Sequence, residues 1–455
     1  MGHPQSAGRF LRDEVRARRH DQSLWWVRQQ RDAAARRVPD WEALRERAEA
    51  IKAHTASRLG DYLEEFERHA TARGARVHWA RDGEEHNRIV HGLLAERGAR
   101  RLVKSKSMLT EECGLNPYLE ARGIEVTDTD LGERIVQLDG RHPSHIVMPA
   151  IHMTREAIGE LFHRTIGTEP GLTDPKALTE AARQHLRQKL LAAEAGLTGV
   201  NFAIAETGGL VVVTNEGNAD MGTALPPLHI AAMGIEKVIP RFEDLGVFLR
   251  LLARSATGQA LSTYTSHFHG PRPGGELHIV IVDAGRTGLL GADGFRRALQ
   301  CIRCGACLNT CPVYRRSGGH SYTWVVPGPI GSVLAPSRDV VAHQTLPFAS
   351  SLCGSCSDVC PVRIDLHDLL LRWRQEIVSR RVVPFGRRAA MRVASLVLRS
   401  TSLYERVGRL VRWGMRVLPR RWVAACSLGW ARQREWPVPP RESFRELYRR
   451  THGRP

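Results

Sequence analysis

Residues 301–312 read Cys301-Ile-Arg-Cys304-Gly-Ala-Cys307-Leu-Asn-Thr-Cys311-Pro312. Four cysteines separated by two, two and three residues before a proline are typical of the ligands of a cubane iron–sulfur cluster. A second run, Cys353-x2-Cys356-x3-Cys360-Pro361, keeps this spacing but has Ser350 in the place of the first cysteine. Seven of the nine cysteines in this 455-residue chain therefore fall in two runs that predict two iron–sulfur clusters.

The ligand sets of the two clusters follow from the order of the cysteines. In two-cluster ferredoxin-type modules, the fourth cysteine of each run binds the cluster of the other run. The first cluster then receives Cys301, Cys304, Cys307 and Cys360, and the second receives Cys311, Cys353 and Cys356. The open corner of the second cluster could be bound by Ser350, by a residue from elsewhere or by solvent. Alternatively, the iron at that corner could be absent. We expect one [4Fe-4S] cluster and a second that is [4Fe-4S] or [3Fe-4S].

Zinc is the main alternative, because two pairs of cysteines spaced by two residues could hold one tetrahedral ion. Zinc would leave Cys307, Cys311, Cys360 and both following prolines unexplained. Disulfides are not expected, because the first 15 residues are polar and charged and lack the apolar core of a secretory signal. Cys113 and Cys426 lie outside the runs and are interpreted as small buried apolar side chains.

Positive charge is concentrated at the end of the chain. The formal net charge is +18, and residues 372–455 hold 21 arginines and no lysine against five glutamates and no aspartate. Apolar side chains recur there at helical spacing, together with Trp413, Trp422, Trp430 and Trp436. Such a basic amphipathic segment could dock on a partner subunit or the chain's own core, on an anionic membrane surface, or on a nucleic acid. We favour these partners in that order and expect no nucleic acid.

The residues before the cysteines alternate between short apolar runs and helical patterns, which is typical of an open α/β sheet. Continuous Val, Ile and Leu runs indicate strands that are covered on both faces, as in a largely parallel sheet. Strands are predicted at 75–80, 100–104, 125–127, 134–138, 145–148, 201–205, 209–214 and 277–283, and a helix at 175–195. The predicted regions are a helical segment (1–70), an α/β domain (71–290), a two-cluster ferredoxin-like domain (291–375) and a basic helical region (376–455).

Polar residues near the predicted strands are candidates for a ligand crevice. Lys104 and Lys106 follow one strand and precede a helix, where they could hold an anion or belong to an ordinary capped loop. Glu206 and Glu216 follow two further strands, and carboxylates at strand ends often line the crevice of an α/β sheet. Turns use the same residue types, so a purely structural role stays open. No G-x-G-x-x-G follows a strand, and a bound dinucleotide is therefore unsupported.

Several of these segments resemble the lactate utilization protein B family. They include Val103-Lys-Ser-Lys-Ser-Met108, Asp130-Leu-Gly-Glu133, Ala205-Glu-Thr-Gly208, Thr214-Asn-Glu-Gly-Asn218, His229-Ile-Ala-Ala-Met-Gly-Ile-Glu-Lys-Val238 and Ser350-Ser-Leu-Cys-Gly-Ser-Cys356. The resemblance runs from about residue 50 to residue 375, and the basic tail also resembles the C-terminal region of that family. The pattern of seven cysteines resembles the family's own pattern.

The resemblance implies an α/β lactate-utilization domain, similar to sugar-phosphate isomerases and CoA transferases. The 41 residues between Cys311 and Cys353 favour an α-helical ferredoxin module similar to that of succinate dehydrogenase iron–sulfur subunits. The family assignment implies one of three cytoplasmic subunits that together oxidise L-lactate to pyruvate. The implied partners are a cysteine-rich iron–sulfur subunit and a second lactate-utilization-domain subunit. This chain would be the electron-transfer member, and no catalytic residues can be carried over to it.

Two other functions stay open from the sequence. The same electron transfer could serve glycolate or another 2-hydroxy acid, which only growth or turnover assays would distinguish. A protein of a different class would keep the clusters as structural elements and bind nucleic acid through the arginines of the tail. Contact of the basic tail with a membrane surface would make the protein membrane-peripheral in either case.

Overall fold

The computed structural model describes residues 2–292, 294–383, 385–419, 421–423 and 436–453. It divides into two compact units, which comprise residues 1–377 and 378–455. The first unit contains the α/β domain and all seven cysteines of the two runs, and the second contains most of the basic tail. Cys426 and Trp430, which the sequence analysis singled out, lie outside the described residues.

The first unit begins with four helices. They are α1 (His3–Leu11), α2 (Glu14–Arg36), α3 (Trp41–Ser57) and α4 (Leu59–Ala72). The carboxylate of Asp13 caps α2 by accepting the Arg16 N–H at 2.9 Å. Helices α2 and α3 reach the second cysteine run, because Arg31 donates to the Val359 carbonyl at 3.1 Å and Arg45 donates to the Cys360 carbonyl. These helices therefore support the cysteine module from outside.

A six-stranded sheet forms the centre of the α/β domain, and every adjacent pair of its strands is parallel. Its strands are β1 (Arg76–Ala80), β2 (Arg101–Lys104), β3 (Glu125–Asp128), β4 (Ala195–Gly199), β7 (Leu228–Gly234) and β10 (Glu276–Val282), in the order β1-β10-β7-β4-β2-β3. Strands β4 and β7 are buried along their whole length. This finding confirms the expected parallel sheet, since strands covered on both faces carry continuous apolar runs.

A second sheet has four strands, which follow one another across the sheet in the order β8-β5-β6-β9. Its strands are β5 (Phe202–Ile204), β6 (Gly209–Thr214), β8 (Val238–Ile239) and β9 (Tyr264–Phe268). Strand β6 pairs antiparallel with both β5 and β9. The predicted strands at 201–205 and 209–214 therefore form an antiparallel hairpin and are not members of the parallel sheet.

Helices cover the sheets of the α/β domain. They are α5 (Gly83–Glu96), α6 (Met108–Cys113), α7 (Leu115–Glu120), α8 (Leu131–Leu138), α9 (Arg155–Ile166), α10 (Pro175–Leu191), α11 (Asn218–Ala224), α12 (Leu245–Ala256) and α13 (Arg286–Gly291). Two strand predictions are wrong. Residues 134–138 belong to helix α8, and residues 145–148 form no strand. The predicted helix at 175–195 ends at Leu191, and β4 begins at Ala195.

The cysteine module consists of short helices and turns around the two runs. The helices are α14 (Ala306–Thr310), α15 (Pro312–Ser317), α16 (Gly328–Arg338), α17 (Val340–His343), α18 (Ser355–Asp358) and α19 (Leu366–Ser379). Short 3-10 turns occur at Ile235–Lys237, Arg296–Gln300, Gly319–Ser321 and Leu346–Phe348. The module shares one apolar core with helices α2, α3 and α12. It is thus built into the first unit and is not a loosely tethered domain.

The described part of the second unit is helical and basic, as predicted. It contains α20 (Phe385–Arg399), α21 (Thr401–Val417) and α22 (Phe444–His452). Large apolar side chains of α20 and α21, such as Leu396, Leu410 and Trp413, are 60 to 65% exposed within this unit. In the ranges that the structure describes, no helix is both long enough and apolar enough to cross a membrane.

Candidate iron–sulfur centres and the adjoining crevice

Four cysteines line one small cavity at the base of the module. They are Cys301, Cys304, Cys307 and Cys360, the set that the cross-ligation rule assigns to the first cluster. Cys301 is half-buried and the other three are buried. Apolar side chains, including Ile330 and Ile364, complete the walls. The fourth cysteine of the second run thus faces the same space as the first three cysteines of the first run.

Backbone N–H groups point at the sulfur atoms of this cavity. The Arg303 N–H donates to Cys301 Sγ at 3.4 Å, and the Ile330 N–H donates to Cys307. Burial raises the pKa of Cys360 to about 11, although the N–H groups of Ile364 and Val362 oppose the rise. Burial thus makes a free thiolate costly at this site. Coordination to a metal ion would compensate this cost. A small cavity with mostly apolar walls, four thiols and N–H donors fits an iron–sulfur cluster.

The remaining three cysteines of the runs form a second group nearer the surface. Burial, together with the neighbouring Cys311 and Cys353, raises the pKa of Cys356 to about 12. Cys311 is buried, whereas Cys353 is exposed. Among the residues that the structure describes, no group of three or more His, Cys, Asp or Glu side chains converges closely enough for a single ion. A cubane does not need such convergence, because its thiolates bind different irons.

The loop before each cysteine pair has the same local conformation in both runs. Arg303 has a φ of +61° and Leu352 has a φ of +56°, both in the left-handed region that L-residues rarely adopt. The Leu352 N–H donates to Ser350 Oγ at 3.1 Å, just as the Arg303 N–H donates to Cys301 Sγ. Ser350 therefore occupies in the second loop the position that Cys301 occupies in the first.

A crevice of about 710 Å³ adjoins the first group of cysteines. It lies at the carboxyl ends of parallel strands, because Lys106 follows β2, Asp130 follows β3, and Gly199 and Gly234 end β4 and β7. Ligands of open α/β sheets bind at this edge. Cys304 also lines the crevice, so a molecule bound there would lie beside the first cluster. The crevice walls are mostly apolar, with Met108, Ile135, Ile146, Val212, Met233 and Leu252 among them.

Two of the four predicted crevice residues line this space. Lys106 Nζ contacts Asp130 Oδ2 at 2.8 Å and the Val147 carbonyl at 3.2 Å. Glu216 accepts the Leu131 N–H at 3.0 Å. Burial raises the pKa of Glu216, and the nearby Asp130 carboxylate raises it further. These residues form a hydrogen-bonded wall in which the Lys106 ammonium is already paired.

The other two predicted residues lie elsewhere. Lys104 is fully buried, with its ammonium 2.6 Å from Asp128, 3.3 Å from Glu111 and 3.8 Å from Glu133. Burial alone would lower the pKa of Lys104, but these carboxylates raise it above its usual value. Glu206 is exposed and accepts the Phe242 N–H at 2.8 Å. Neither Lys104 nor Glu206 is among the residues that line the crevice.

The sequence analysis missed a buried charge network at the end of the crevice beside Cys304. Arg286 donates to Glu112 at 3.0 Å and lies 2.6 Å from Glu236, and Arg303 donates to Glu112 at 3.1 Å. Burial would raise the pKa of Glu236, but Arg286 and Arg303 lower it to about 2. Burial lowers the pKa of Lys237, which also lines this end. The sequence contained one indication of this network, because Arg303 is a charged residue between the cysteines Cys301 and Cys304.

Together the sheet, the crevice and the two cysteine groups define an iron–sulfur protein with a lactate-utilization domain. Two family descriptions match the chain, LUD domain over residues 63–286 and 4Fe-4S dicluster domain over residues 297–364. The chain belongs to the lactate utilization protein B family. The family predicted from sequence motifs and the predicted fold class are thus confirmed.

The relatives match over nearly their full length. Lactate utilization protein B of Geobacillus kaustophilus is 44% identical over 428 residues, which cover 90% of this chain and 88% of that protein. The protein of the same name from Bacillus pumilus is 43% identical over 437 residues, covering 93% and 91%. A crystal structure of a DUF162 family protein from Deinococcus radiodurans aligns at 15% identity and a TM-score of 0.28, covering 49% of this chain and 98% of that one.

Proposed function

We propose that this lactate utilization iron–sulfur protein is the electron-transfer subunit of a complex that oxidises L-lactate to pyruvate. The observation that carries the proposal is the crevice at the strand ends, which is lined by Cys304 of the first cysteine run. The dicluster domain and the name shared by its relatives support a redox role in lactate use. The proposal includes one [4Fe-4S] cluster and a second [4Fe-4S] or [3Fe-4S] cluster.

The residues of this chain would hold and insulate the clusters. Oxidation of lactate to pyruvate releases two electrons and two protons, and iron–sulfur clusters accept and pass electrons singly. Cys301, Cys304, Cys307 and Cys360 would hold the first cluster, and Cys311, Cys353 and Cys356 would hold the second. The apolar walls around Cys307 would limit the access of water to the first cluster. Cys353 is exposed, so electrons would leave this chain on the side of the second site.

The proposed assembly includes two further subunits and a cytoplasmic location, both of which the family resemblance implies. The partners would be a cysteine-rich iron–sulfur subunit and a second subunit with a lactate-utilization domain. The basic helices α20 and α21 offer exposed arginines and apolar side chains for a partner subunit or an anionic membrane surface. We propose no nucleic-acid partner.

The test is anaerobic purification followed by iron and sulfide analysis and EPR. We expect about seven or eight irons per chain, with sulfide in similar amount. Cys307→Ala should remove the iron of the first cluster, whereas Cys113→Ala, at a cysteine outside the runs, should keep the full content. In the reconstituted complex, L-lactate should reduce the clusters. Stoichiometric zinc without sulfide, or clusters that L-lactate never reduces in the complex, would contradict the proposal.

A further inference from the structure

Two cationic groups, at the end of the crevice beside the first cysteine run, have incomplete polar contacts. The Arg303 side chain is 10% exposed, and its Nη2 contacts Glu112 at 3.1 Å and Glu236 at 3.7 Å. Its Nη1 is buried and has no hydrogen-bond partner among the described residues. Lys237 is half-buried and lines the same end of the crevice. Its ammonium makes no ion pair or hydrogen bond within the described part of the chain, although Glu236 and Cys301 act on it electrostatically.

The neighbouring carboxylates cannot satisfy these two groups because they are already engaged. Glu112 and Glu236 both contact Arg286, which is 6% exposed, and Arg338 also approaches Glu112 at 3.9 Å. Two carboxylates therefore face Arg286, Arg303, Arg338 and Lys237. Lys52 adds a further buried cation, bound to the Glu236 carbonyl at 2.5 Å. An oxidised [4Fe-4S] cluster with four thiolates, as proposed for the adjoining cavity, would carry a net charge of about −2, and together with the two carboxylates it would still leave about one positive charge uncompensated where the crevice ends.

An uncompensated cation in a partly buried site favours a bound anion, because an unpaired charge or an unmade hydrogen bond is costly where access to solvent is reduced. The Lys237 ammonium can act on a carboxylate as a point charge. Arg303 Nη1 is sealed from the crevice in this structure, so it would reach the same carboxylate only after the guanidinium turns toward the crevice. The other lysine of the crevice, Lys106, is paired with Asp130 at 2.8 Å and offers no such opportunity. An anion is therefore expected at the end near Cys304 and not at the Lys106 wall.

We propose that Lys237 and Arg303 bind the carboxylate of a small 2-hydroxy or 2-oxo acid at the end of the crevice beside the first cluster. This inference rests on the proposed function, because the oxidation of lactate to pyruvate supplies acids of this class. The acid fills only the charged end of the 710 Å³ crevice, and the apolar remainder stays open. The acid would thereby lie within the chain that carries the clusters and not only on a partner subunit.

Calorimetric titration of the anaerobic, cluster-loaded full chain tests this proposal with L-lactate, pyruvate and L-lactamide. Lactamide has the shape of lactate but no carboxylate, so lactate and pyruvate should bind and lactamide should not. Lys237→Met should weaken lactate binding about tenfold or more, since charge-assisted contacts to carboxylates are strong. Arg303→Lys should weaken it in the same direction, because a lysine lacks the forked donors. Lys176→Met, at an exposed lysine of α10, is the matched control and should bind as the native chain does.

Several outcomes would overturn the site. Lactate affinity unchanged in Lys237→Met, equal binding of lactamide, or no lactate binding by the native chain would each do so. A shift in the cluster EPR of Lys237→Met with unchanged lactate affinity would show that the cations only balance cluster charge. The proposed function is tested separately. Unchanged lactate KM in a complex containing Lys237→Met would refute the site and leave electron transfer intact, whereas redox-silent clusters would refute electron transfer and leave binding measurable.

Discussion

Ser350 occupies the position of the missing first cysteine of the second run, and its loop resembles the loop that contains Cys301. In both loops, an N–H from a residue with positive φ donates to the side chain two positions earlier. The spacing of the cysteines predicts Ser350 as the residue at an open corner, and the matched loops give that prediction a conformational basis. An oxygen at this corner would bind iron less readily than a thiolate does.

Replacing Ser350 by cysteine should therefore change the second cluster. We expect Ser350→Cys to supply a fourth thiolate, to change the EPR spectrum of that cluster and to raise the iron content if the corner lacks iron in the native chain. The EPR spectra of oxidised and reduced protein and the iron content measure the effect.

Ser351→Cys is the control for this prediction, because Ser351 is exposed and adjacent. Its EPR spectra should match those of the native chain. If Ser350→Cys also leaves both spectra and the iron content unchanged, Ser350 does not face the open corner, and the proposed ligand sets need revision.

Lys104 is the second residue for which the structure predicts a clear effect of substitution. The sequence suggested that it lines a ligand crevice, whereas the structure places it in a buried ion-pair cluster. Its buried ammonium lies 2.6 Å from Asp128 and also near Glu111 and Glu133. Lys104→Met would leave buried carboxylates without their cation, and we expect a loss of about 3–5 kcal/mol in stability. Urea unfolding followed by circular dichroism measures this loss.

Lys176→Met again serves as the control, because Lys176 is exposed on α10. Its unfolding curve should differ little from that of the native chain. A Lys104→Met chain that unfolds at the native urea concentration would show that the three carboxylates do not depend on this ammonium.

The charge network around Lys237 could not be predicted from the sequence. Its members, Glu112, Glu236, Arg286 and Arg303, come from four separate segments that only the folded chain brings together. Cysteine spacing, in contrast, is local, because consecutive ligands of one cluster are few residues apart. This difference explains why the cysteine groups were predictable and the charged end of the crevice was not.

At the scale of elements, the two wrong strand predictions have identifiable causes. Ile135 and Val136 favour strands, but Asp130 caps a helix by accepting the Glu133 N–H at 3.0 Å. Ile135 then packs against Leu161 and Leu178 of α9 and α10. Tertiary packing and a cap thus outweigh the local preference for a strand.

Residues 145–148 fail as a strand for another reason. His145 Nδ1 accepts the N–H groups of Val147 and Met148 at 3.0 and 3.1 Å, which removes them from any sheet ladder. Burial lowers the pKa of His145 to about 3, so the ring is neutral and Nδ1 can accept. A single side chain therefore sets this loop, and apolar patterning cannot reveal such a contact.

The contact between β4 and α11 yields a prediction about one glycine. A Cβ on Gly196 would lie 1.7 Å from the Gly222 carbonyl oxygen, which belongs to helix backbone and cannot move aside easily. We expect Gly196→Ala to destabilise the α/β domain by at least about 2 kcal/mol through this overlap. Urea unfolding measures the change.

Gly92→Ala is the matched control, because a Cβ at this position in α5 meets nothing within 4 Å. This substitution should stabilise the chain by about 0.5–1 kcal/mol, since alanine favours helix over glycine. Equal stability of the two variants would mean that β4 and α11 are not in close contact.

At the scale of the whole molecule, the clusters should not depend on the basic tail. All seven cysteines of the runs lie in the first unit, which ends near residue 377. We expect a chain that ends at Val383 to keep its full iron and sulfide content after anaerobic purification. Loss of iron from this chain would show that the second unit takes part in holding the clusters.

A shorter chain that ends at Asp365 provides the contrast. It lacks α19, whose Trp373 donates to the Val333 carbonyl at 2.8 Å and packs against Phe295 at 4.5 Å. Because α19 belongs to the core that surrounds the cysteines, this chain should lose iron. The iron contents of the two chains measured side by side locate the minimal cluster-binding unit.

Cys360 faces the cavity of the first run, and Cys311 groups with the second run. With clusters bound as proposed, iron ties each run to the other and closes a ring of polypeptide that includes the 41 residues between Cys311 and Cys353. Like a disulfide, such a ring restricts the unfolded chain, by about 4 kcal/mol for a loop of this size. The clusters would then be cross-links as well as electron carriers, and iron lost from one would loosen the hold on the other.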